Sequence, residues 1–398
     1  MTREDIYSEC LSKVDTSKFL LLELPTGYGK SKCSLDLVNH LAETKYKGKP
    51  VSMLLLVAKR VHKKTWADEI NKWGGIHVSS LVVECYESLH KHEHQYFDII
   101  VLDEVHHAGS PLRLDALKTI SFGNAVGLSA TIPQKLKDYF LYEYHASIVS
   151  CNITEAIDSS VLPEPQIVLF PLQLDSFKNT EVIEVNPKAK GTVRHGFFCD
   201  LWKYRKLKVH ALVSCTARQK VNDYNSTILH LKQTYTRTRQ EYIRKRWLFE
   251  CGERLKYLAN LKNPVVLSLL QRLSDERTIT FCKTIEQAEL LGKHCIHSKN
   301  KDSDLIYRDF NDRKIDHITS VNILNENANL VDCRYAVFAN YSSSELVGVQ
   351  RIGRALRHKS PVIIMPYYEN TREQEILEDM LKDFSPDCIR TIHSVEEL

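Results

Sequence analysis

The stretch from Leu20 to Ser31 limits the choice of fold more than any other part of this sequence. An apolar run suited to a buried strand leads into a turn with Gly27 and Gly29, and a segment with helical apolar spacing begins at Lys30. Glycine lets backbone amides curl around phosphate oxygens, and the first turn of a helix directs its positive end at them. A glycine-rich turn that arose by chance is the alternative. The stretch predicts a strand, a helix and, between them, a phosphate-binding loop of Pro25, Thr26, Gly27, Tyr28, Gly29, Lys30 and Ser31.

A loop of this kind binds the phosphates of ATP together with Mg²⁺. The Lys30 ammonium reaches the β- and γ-phosphates, and the Ser31 hydroxyl binds the metal. The full pattern has a glycine five residues before Gly29, where this sequence has Leu24. Partners further along the chain must therefore support the nucleotide site.

One such partner is an acidic pair at the end of a second apolar strand. The run Phe97–Leu102 leads directly into Asp103-Glu104-Val105-His106. Two adjacent carboxylates at the end of a buried strand repel each other, so they indicate a bound cation or a proton-transfer role. Asp103 would hold Mg²⁺, and Glu104 would orient and deprotonate the attacking water. The spacing of about 73 residues from Lys30 allows the two strands to be neighbours in one parallel sheet. An acidic start of a helix is the alternative.

Another partner is an arginine cluster near the C-terminal end. The string Gln350-Arg351-Ile352-Gly353-Arg354-Ala355-Leu356-Arg357 places arginines three residues apart, too polar for the buried face of a helix. Guanidinium groups match phosphate oxygens bidentately. The string therefore predicts a second group of phosphate ligands, with a plain surface helix as the alternative.

These segments resemble the motifs of one enzyme family. The loop Pro25–Ser31, the box Asp103–His106, the triplet Ser129-Ala130-Thr131 and the arginine string resemble motifs I, II, III and VI of superfamily 2 helicases of the DEAD/DEAH-like type. The Asp-Glu-Val-His form of the box and the Gln-Arg-Ile-Gly-Arg part of the arginine string resemble the branch that contains duplex-DNA translocases and repair helicases, rather than the Asp-Glu-Ala-Asp group that acts on RNA. The chain's size and lack of accessory domains are common among helicases of phages and mobile elements.

The resemblance implies an α/β fold of two RecA-like domains in tandem, with ATP in the cleft between them. It implies that Arg354 is an arginine finger, that Arg357 is a second phosphate contact and that Gln350 contacts water or phosphate. His106, Ser129 and Thr131 would couple the phosphate state to the opposite domain. Asn327 stands in motif V where the family usually has glycine. Arg351 is expected to face the sheet or an acidic partner.

Other residues at predicted strand ends are candidate nucleic-acid contacts. In the family, the end of the second strand touches the nucleic-acid backbone, and here Lys59 and Arg60 follow the run Val51–Ala58. A solvated strand end is the alternative. The resemblance extends this expectation to Tyr86, Lys283 and Thr284.

The sequence also suggests where the domains meet. We expect an N-terminal ATP-binding domain over 1–153, a linker and crossing strand over 154–177 and a second helicase domain over 263–398. The crossing strand is predicted at Ile167–Phe170. Pro163 and Pro165 are expected to prevent a helix in the linker.

Residues 178–262 fit none of the motifs and form a predicted helical basic insertion. From Leu201 to Lys256 there are 14 Lys or Arg residues against 4 Asp or Glu residues. Such local charge is typical of a polyanion-binding surface. We expect a helical hairpin in which Arg244, Lys245 and Arg246 contact phosphates, with a solvated charged helix as the alternative. The apolar face is expected to consist of Tyr224, Ile228, Leu231, Tyr235, Tyr242 and Phe249.

Composition narrows the class of protein further. The chain has 398 residues, enough for two or three domains, and no apolar run near the ~20 residues that a membrane span needs. Its N-terminus is charged, which argues against a secretory signal. The 11 cysteines form no Cys-x-x-Cys pair, so reduced thiols in the cytoplasm are expected rather than zinc or disulfides.

The expected activity is ATP-driven movement along nucleic acid, or its unwinding, by a monomer that prefers DNA to RNA. An ATPase that remodels or displaces without unwinding, an RNA helicase and a restriction-type motor subunit are the alternatives.

Overall fold

The computed structural model describes residues 2–185, 211–321, 330–342, 351–353 and 358–398. Its first half is a six-stranded sheet in the order β3-β2-β4-β5-β1-β6, in which all the pairings are parallel. The central strands are apolar on both faces because helices cover both sides of the sheet. The strands are β1 Phe19–Glu23, β2 Ser52–Val57, β3 Ser80–Cys85, β4 Tyr96–Asp103, β5 Ser121–Ser129 and β6 Ser147–Ser150.

Local signals mark the starts of two first-half helices. Thr2 caps the first helix in a capping box with Asp5, and Pro111 opens the fourth. These helices are α1 Arg3–Thr16, α2 Lys30–Thr44, α3 Arg60–Lys72, α4 Pro111–Thr119, α5 Gln134–Tyr144 and α6 Ile153–Asp158.

The second half is a parallel sheet of seven strands in the order β11-β12-β10-β13-β14-β7-β15. The strand predicted at Ile167–Phe170 pairs with two strands of this sheet, so the chain crosses into the second half there, as expected. The strands are β7 Gln166–Leu172, β10 Thr278–Phe281, β11 Cys295–Ile296, β12 His317–Ser320, β13 Tyr335–Phe338, β14 Val362–Tyr368 and β15 Ile389–Thr391.

The insertion consists of a small sheet and two long helices. Strands β8 Glu181–Val185 and β9 Ala211–Cys215 pair antiparallel, which the sequence did not predict. Helices α7 Ala217–Thr238 and α8 Glu241–Leu261 form the predicted hairpin, with Arg239 in the left-handed conformation between them (φ 53°). The other second-half helices are α9 Asn263–Arg272, α10 Ile285–Leu291, α11 Ser303–Asn311 and α12 Arg372–Leu381.

The predicted apolar stripe of the insertion is correct only within α7. Ile228 and Leu231 are buried, whereas Tyr242 and Phe249 on α8 are 67% and 55% exposed. The spacing of the predicted stripe runs on through the turn, but the left-handed Arg239 reverses the chain there and changes which face of α8 meets the partner helix.

Two other expectations about the fold are wrong. Strand β5 separates β1 from β4, so the strands that lead to Lys30 and Asp103 share a sheet without being neighbours. The linker contains the short helix α6, because Asn152 and Glu155 form a capping box before the prolines are reached.

In the described part of the chain, no helix combines the length and apolar character that a bilayer crossing requires.

Candidate nucleotide and nucleic-acid sites

The loop between β1 and α2 has the backbone shape of a phosphate cradle. Gly27 and Gly29 have φ angles of 95° and 106°, in the left-handed region that glycine adopts without steric cost. Gly29 directly precedes α2, and a β-carbon built on it would meet no heavy atom within 4 Å. The approach to the first turn of α2 is therefore open at this point, as an anion site requires.

Lys30 lies over this loop. Its Nζ atom donates hydrogen bonds to the carbonyl oxygens of Leu24, at 2.9 Å, and Pro25, at 3.3 Å. Leu24 is itself fixed at the strand end, because its amide donates to the carbonyl oxygen of Ser129. The ammonium is thus held at the carboxyl edge of the sheet, where a bound phosphate would compete with the two carbonyls for it.

The acidic box lies at the same edge, with β5 between its strand and the strand that leads to the loop. Asp103 and Glu104 are 6% and 4% exposed. The indole Nε1 of Trp66 donates to Oδ2 of Asp103 at 2.8 Å, and the Tyr86 hydroxyl donates to the Asp103 carbonyl oxygen at 2.9 Å. Buried carboxylate oxygens are the donors that Mg²⁺ prefers, so Asp103, together with the hydroxyl of Ser31, fits this metal.

Glu104 has a strained backbone, with φ at 49° in the left-handed region. Non-glycine residues adopt this region at a cost, and such residues cluster at functional sites. Its Oε2 atom lies 3.4 Å from both the Ser129 hydroxyl and Nδ1 of His106. The box is therefore linked directly to the strand that separates it from the phosphate loop.

Ser129 is the centre of this link. Its hydroxyl lies 3.0 Å from Nδ1 of His106, donates to the Thr131 carbonyl oxygen at 2.8 Å and accepts from the Thr131 amide at 3.3 Å. The register explains this position: Ser129 of β5 pairs with Glu23 of β1, while Leu128 beside it pairs with Asp103 of β4. The structure thus brings His106, Ser129 and Thr131 together with Glu104.

The described part of the arginine string lies against the phosphate loop. A β-carbon built on Gly353 would lie 2.9 Å from Cβ of Thr26, so only glycine allows this approach. Residues Gln350, Arg354 and Arg357, and Asn327 of motif V, lie outside the described residues.

Arg351 is a buried residue that faces the sheet, which is one of the two expected positions. It donates to the carbonyl and side-chain oxygens of Asn340, and its guanidinium lies 5.1 Å from the centre of the Phe281 ring. Burial lowers the pKa of Arg351 to about 10. Its position favours a role in holding the described residues 351–353 on the second sheet.

A cleft lies at the carboxyl ends of strands from both halves. It has a volume of about 580 Å³ and is lined by Lys59 after β2 and by residues after β10, β11 and β12: Lys283, Thr284, Ile285, Glu286, His297, Ser298 and Val321. In open parallel sheets, ligands bind at this edge. The structure therefore brings Lys59, Lys283 and Thr284 together, and Arg60 is exposed as the first residue of α3.

The position of Lys283 is fixed by the base of the insertion. The Gln287 side chain accepts from the Lys283 amide and donates to the Ala259 carbonyl oxygen and to Asn263 Oδ1. Burial, and secondarily the positive charge of Arg351, lower the pKa of Lys283.

The prediction that Tyr86 contacts nucleic acid is wrong. Its ring is 2% exposed, and its hydroxyl is bonded to the Asp103 carbonyl oxygen. Burial and the carboxylates of Asp103 and Glu104 raise the pKa of Tyr86 well above its usual value. Its hydroxyl contacts the backbone of the acidic box instead.

Two features of the site were missed in the sequence. Trp66 reaches Asp103 from α3, 37 residues away in the chain, and Gly353 reaches Thr26 from the other half. A tryptophan on an amphipathic helix and a glycine in an arginine-rich string carry no local signal of such contacts.

Family models match segments in both halves of the chain. Residues 3–134 match the family model described as the res subunit of Type III restriction enzymes, and residues 261–359 match the helicase conserved C-terminal domain. Among curated proteins, no sequence is significantly similar to the chain.

Solved structures share the fold at low sequence identity. A single-substitution variant of S. cerevisiae Dbp5 bound to RNA and ADP BeF3 is similar with a TM-score of 0.59 and 13% identity, over 99% of this chain and 91% of that one. The helicase domain of Pyrococcus furiosus Hef is similar with a TM-score of 0.50 and 12% identity, over 94% of this chain and 96% of that one. The Type ISP restriction-modification enzyme LlaBIII bound to DNA is similar with a TM-score of 0.58 and 12% identity, over 98% of this chain but only 31% of that one.

The two sheets are therefore RecA-like domains, and the matched family models cover the parts of the chain that carry the loop, the acidic box and the arginine string. The chain belongs to the superfamily 2 helicases of the DEAD/DEAH-like type, which hydrolyse ATP.

Proposed function

We propose that this helicase moves along DNA, or separates its strands, by hydrolysing ATP between its two RecA-like domains. The observation that carries the proposal is the junction of the domains. Gly353 of the second domain lies against Thr26 of the phosphate loop, and Lys59 and Lys283 from opposite domains line one cleft. A change in the separation of the domains would alter both places together.

Each residue of the nucleotide site has a distinct role in this proposal. The amides around Gly27 and Gly29 bind the phosphates, and Lys30 exchanges its bonds to the Leu24 and Pro25 carbonyls for phosphate oxygens. Ser31 and Asp103 would hold Mg²⁺, which supplies positive charge to the phosphates when it is bound. Arg354, Arg357 and Gln350 would contact the triphosphate or its water from the second domain.

Glu104 orients the attacking water and accepts its proton. A carboxylate beside a histidine and a serine hydroxyl can pass on a change in charge through hydrogen bonds. The contacts of Glu104 with His106 and Ser129, and of Ser129 with Thr131, provide such a connection between the acidic box and the end of β5.

The cleft with Lys59, Lys283 and Thr284 is the proposed path of the nucleic-acid backbone, together with Arg60. Two ammonium groups from different domains suit a polyanion, since phosphate contacts fix position without reading sequence. Dbp5 in complex with RNA and LlaBIII in complex with DNA share this fold, which supports a nucleic-acid partner without deciding between the two.

The hairpin tip is proposed as an additional contact surface. Tyr242, Lys245, Arg246 and Phe249 follow the spacing of one helix face, and the Arg246 guanidinium lies 5.4 Å from the centre of the Phe249 ring. Aromatic rings that alternate with cations suit unpaired nucleic acid. Arg244 and Arg246 are also paired with Glu241 and Glu250, so part of their charge is already compensated.

The decisive test of the enzyme assignment is Glu104→Gln, which removes the proton acceptor and preserves shape. We expect ATP turnover stimulated by nucleic acid to fall by about 10²–10⁴-fold, while ATP binding and thermal unfolding stay unchanged. The control is Gln134→Glu at the exposed start of α5. It exchanges an amide for a carboxylate elsewhere in the same domain and should keep full activity. Full turnover in Glu104→Gln would refute the assignment.

The preference for DNA rests on the form of the acidic box and on the arginine string. It is tested by measuring ATP turnover with double-stranded DNA, single-stranded DNA and RNA side by side. We expect the greatest stimulation by DNA, and a greater effect of RNA would identify an RNA helicase. A strand-displacement assay beside a protein-displacement assay separates unwinding from movement alone.

A second candidate function is the motor of a restriction system. The match of residues 3–134 to the Type III restriction res subunit favours it. LlaBIII is a far larger chain, of which this chain covers 31%. A nuclease or methylation activity would then have to come from outside these 398 residues. Co-purification of such an activity would distinguish this candidate from an independent helicase.

The domain boundaries 1–153, 154–177, 178–262 and 263–398, and the monomeric state, also remain proposals. Limited proteolysis and light scattering test them directly.

A further inference from the structure

Trp66 connects the helix that begins at the nucleic-acid cleft with the carboxylate of the acidic box. Its side chain is 3% exposed, and its indole Nε1 donates to Asp103 Oδ2 at 2.8 Å. A hydrogen bond to an ionised acceptor is about twice as strong as one between neutral groups. This bond therefore restrains the rotation of the carboxylate about its own side-chain axis.

The main chain of Asp103 is fixed independently. The buried Tyr86 hydroxyl donates to its carbonyl oxygen at 2.9 Å, and β4 holds its backbone against Leu128 of β5. Because the backbone is held in this way, the orientation of the carboxylate depends on its side-chain contacts. The Trp66 indole is one of these contacts, and it is buried and nearly rigid.

The helix that carries Trp66 begins beside the cleft, with one cation that lines the cleft and an exposed arginine next to it. Helix α3 begins at Arg60, with Lys59 as its cap residue, and Lys59 lines the cleft between the domains. Trp66 follows Lys59 by seven residues, about two helical turns, or about 10 Å along the axis. A displacement of this helix start would move the indole against Asp103.

We propose that Trp66 is a positioning residue for the Mg²⁺ ligand Asp103 and transmits the engagement of Lys59 and Arg60 to it. The inference rests on the proposed magnesium role of Asp103. Groups that orient metal ligands typically change metal affinity by about 10–100-fold when they are removed. The indole N–H is the atom that carries this effect.

The test compares Trp66→Phe with Trp73→Phe. Phenylalanine keeps an aromatic ring at position 66 but has no donor. Trp73 caps the end of the same helix, and its Nε1 donates to Glu69 at 2.8 Å. It is 41% exposed, so its replacement is a control for the loss of an indole from α3.

The primary readout is the binding of a fluorescent ADP analogue over a titration of Mg²⁺, without turnover. We expect Trp66→Phe to need about 10–100-fold more Mg²⁺ for half of the metal-dependent gain in affinity, with unchanged affinity in EDTA. Trp73→Phe should match the parent chain. The parent's intrinsic fluorescence should also respond to Mg²⁺, and this response should persist in Trp73→Phe and disappear in Trp66→Phe.

Stimulation of ATP turnover by nucleic acid is the second readout. At saturating Mg²⁺, Trp66→Phe should lose a larger share of its nucleic-acid-stimulated rate than of its basal rate, whereas a merely structural role would lower both rates in the same proportion. If this variant fails to fold, benzothienylalanine at position 66 replaces the indole N–H with sulfur in nearly the same shape and should give the same results.

The outcomes distinguish a failure of the proposed magnesium site at Asp103 from a failure of the proposed role of Trp66. If the parent chain shows no Mg²⁺-dependent gain, the proposed magnesium site itself fails. If the parent shows the gain and the position-66 variants retain the same Mg²⁺ requirement, the role of Trp66 is overturned. An equal loss in Trp73→Phe would also overturn it, because the effect would then belong to the helix as a whole.

Discussion

Gly353 and Thr26 lie in different RecA-like domains, yet a β-carbon on the glycine would come within 2.9 Å of the threonine Cβ and 3.4 Å of its carbonyl oxygen. A separation under 3 Å between two such carbons requires that the backbone moves. The phosphate loop and the arginine string are therefore packed together through a position that only glycine fills.

This contact predicts the effect of Gly353→Ala. The added methyl group should push the two domains apart and reduce ATP turnover by at least about tenfold, because misplacement by about 1 Å can lower a rate by about 10². Thermal unfolding should change little, since the contact joins two separately folded sheets. Turnover with nucleic acid and differential scanning calorimetry measure the two effects.

Gly252→Ala is the matched control for that variant. Gly252 lies within α8, where a β-carbon would meet no atom within 4 Å. Alanine should raise the free energy of unfolding by about 0.5–1 kcal/mol and leave turnover unchanged. Normal turnover in Gly353→Ala would contradict the close packing of the domains.

A buried ion pair attaches the hairpin to the second domain. Lys262 and Glu373 are fully buried and lie 2.6 Å apart, and the Lys262 ammonium lies 4.5 Å from the centre of the Tyr341 ring. Lys262→Met should lower the free energy of unfolding by about 3–5 kcal/mol at pH 8, because it leaves a buried carboxylate without its partner. Chemical denaturation followed by circular dichroism measures this loss.

The loss in Lys262→Met should be smaller at acid pH. Burial raises the pKa of Glu373 in the folded chain, so its protonation favours folding below its ordinary pKa, and this contribution disappears as pH rises through the raised value. The double variant Lys262→Met with Glu373→Gln should recover part of the stability at pH 8. An equal loss at pH 5 and pH 8 would show that the carboxylate is not the cause.

The lowered pKa of Lys283 predicts how nucleic-acid binding depends on pH. Burial, with the charge of Arg351, lowers the pKa of Lys283, so this lysine loses its proton at a lower pH than an exposed one. Affinity should therefore fall as pH rises toward this lowered value. Lys283→Arg should bind with constant affinity over the same range, because arginine stays charged.

Lys314→Arg is the control for this pH profile. Hydrogen bonds to Asp309 and Asp312 raise the pKa of Lys314. The residue precedes β12, so it lies toward the amino end of that strand, whereas the cleft is at the carboxyl ends. Fluorescence anisotropy with a labelled oligonucleotide gives the affinities. A parent profile that does not change in alkaline solution would remove Lys283 from the binding path.

The hairpin cluster predicts a change in the salt dependence of binding. Replacing Arg244, Lys245 and Arg246 with glutamine should weaken nucleic-acid binding and make its dependence on salt less steep. Each phosphate contact contributes about 0.7–0.9 to the slope of log affinity against log salt. Because Glu241 and Glu250 already pair with two of these residues, the slope should change by about one such contact rather than three. Lys314→Gln should leave it unchanged, and an unaltered slope in the triple variant would assign the hairpin another role.

The sequence by itself determined the parts of this protein that depend on local chemistry. The turn with Gly27 and Gly29, the apolar strand that ends at Asp103 and the strand Ile167–Phe170 follow from backbone preferences and apolar patterns within a few residues. The structure agrees with each of them.

Only the tertiary structure decided which residues meet. Strand order placed β5, and with it Ser129, between the loop and the acidic box, and burial removed Tyr86 from the surface. The bond from Trp66 to Asp103 and the approach of Gly353 to Thr26 join segments that are distant along the chain. Such contacts depend on how whole sheets and helices pack, which no short stretch of residues specifies.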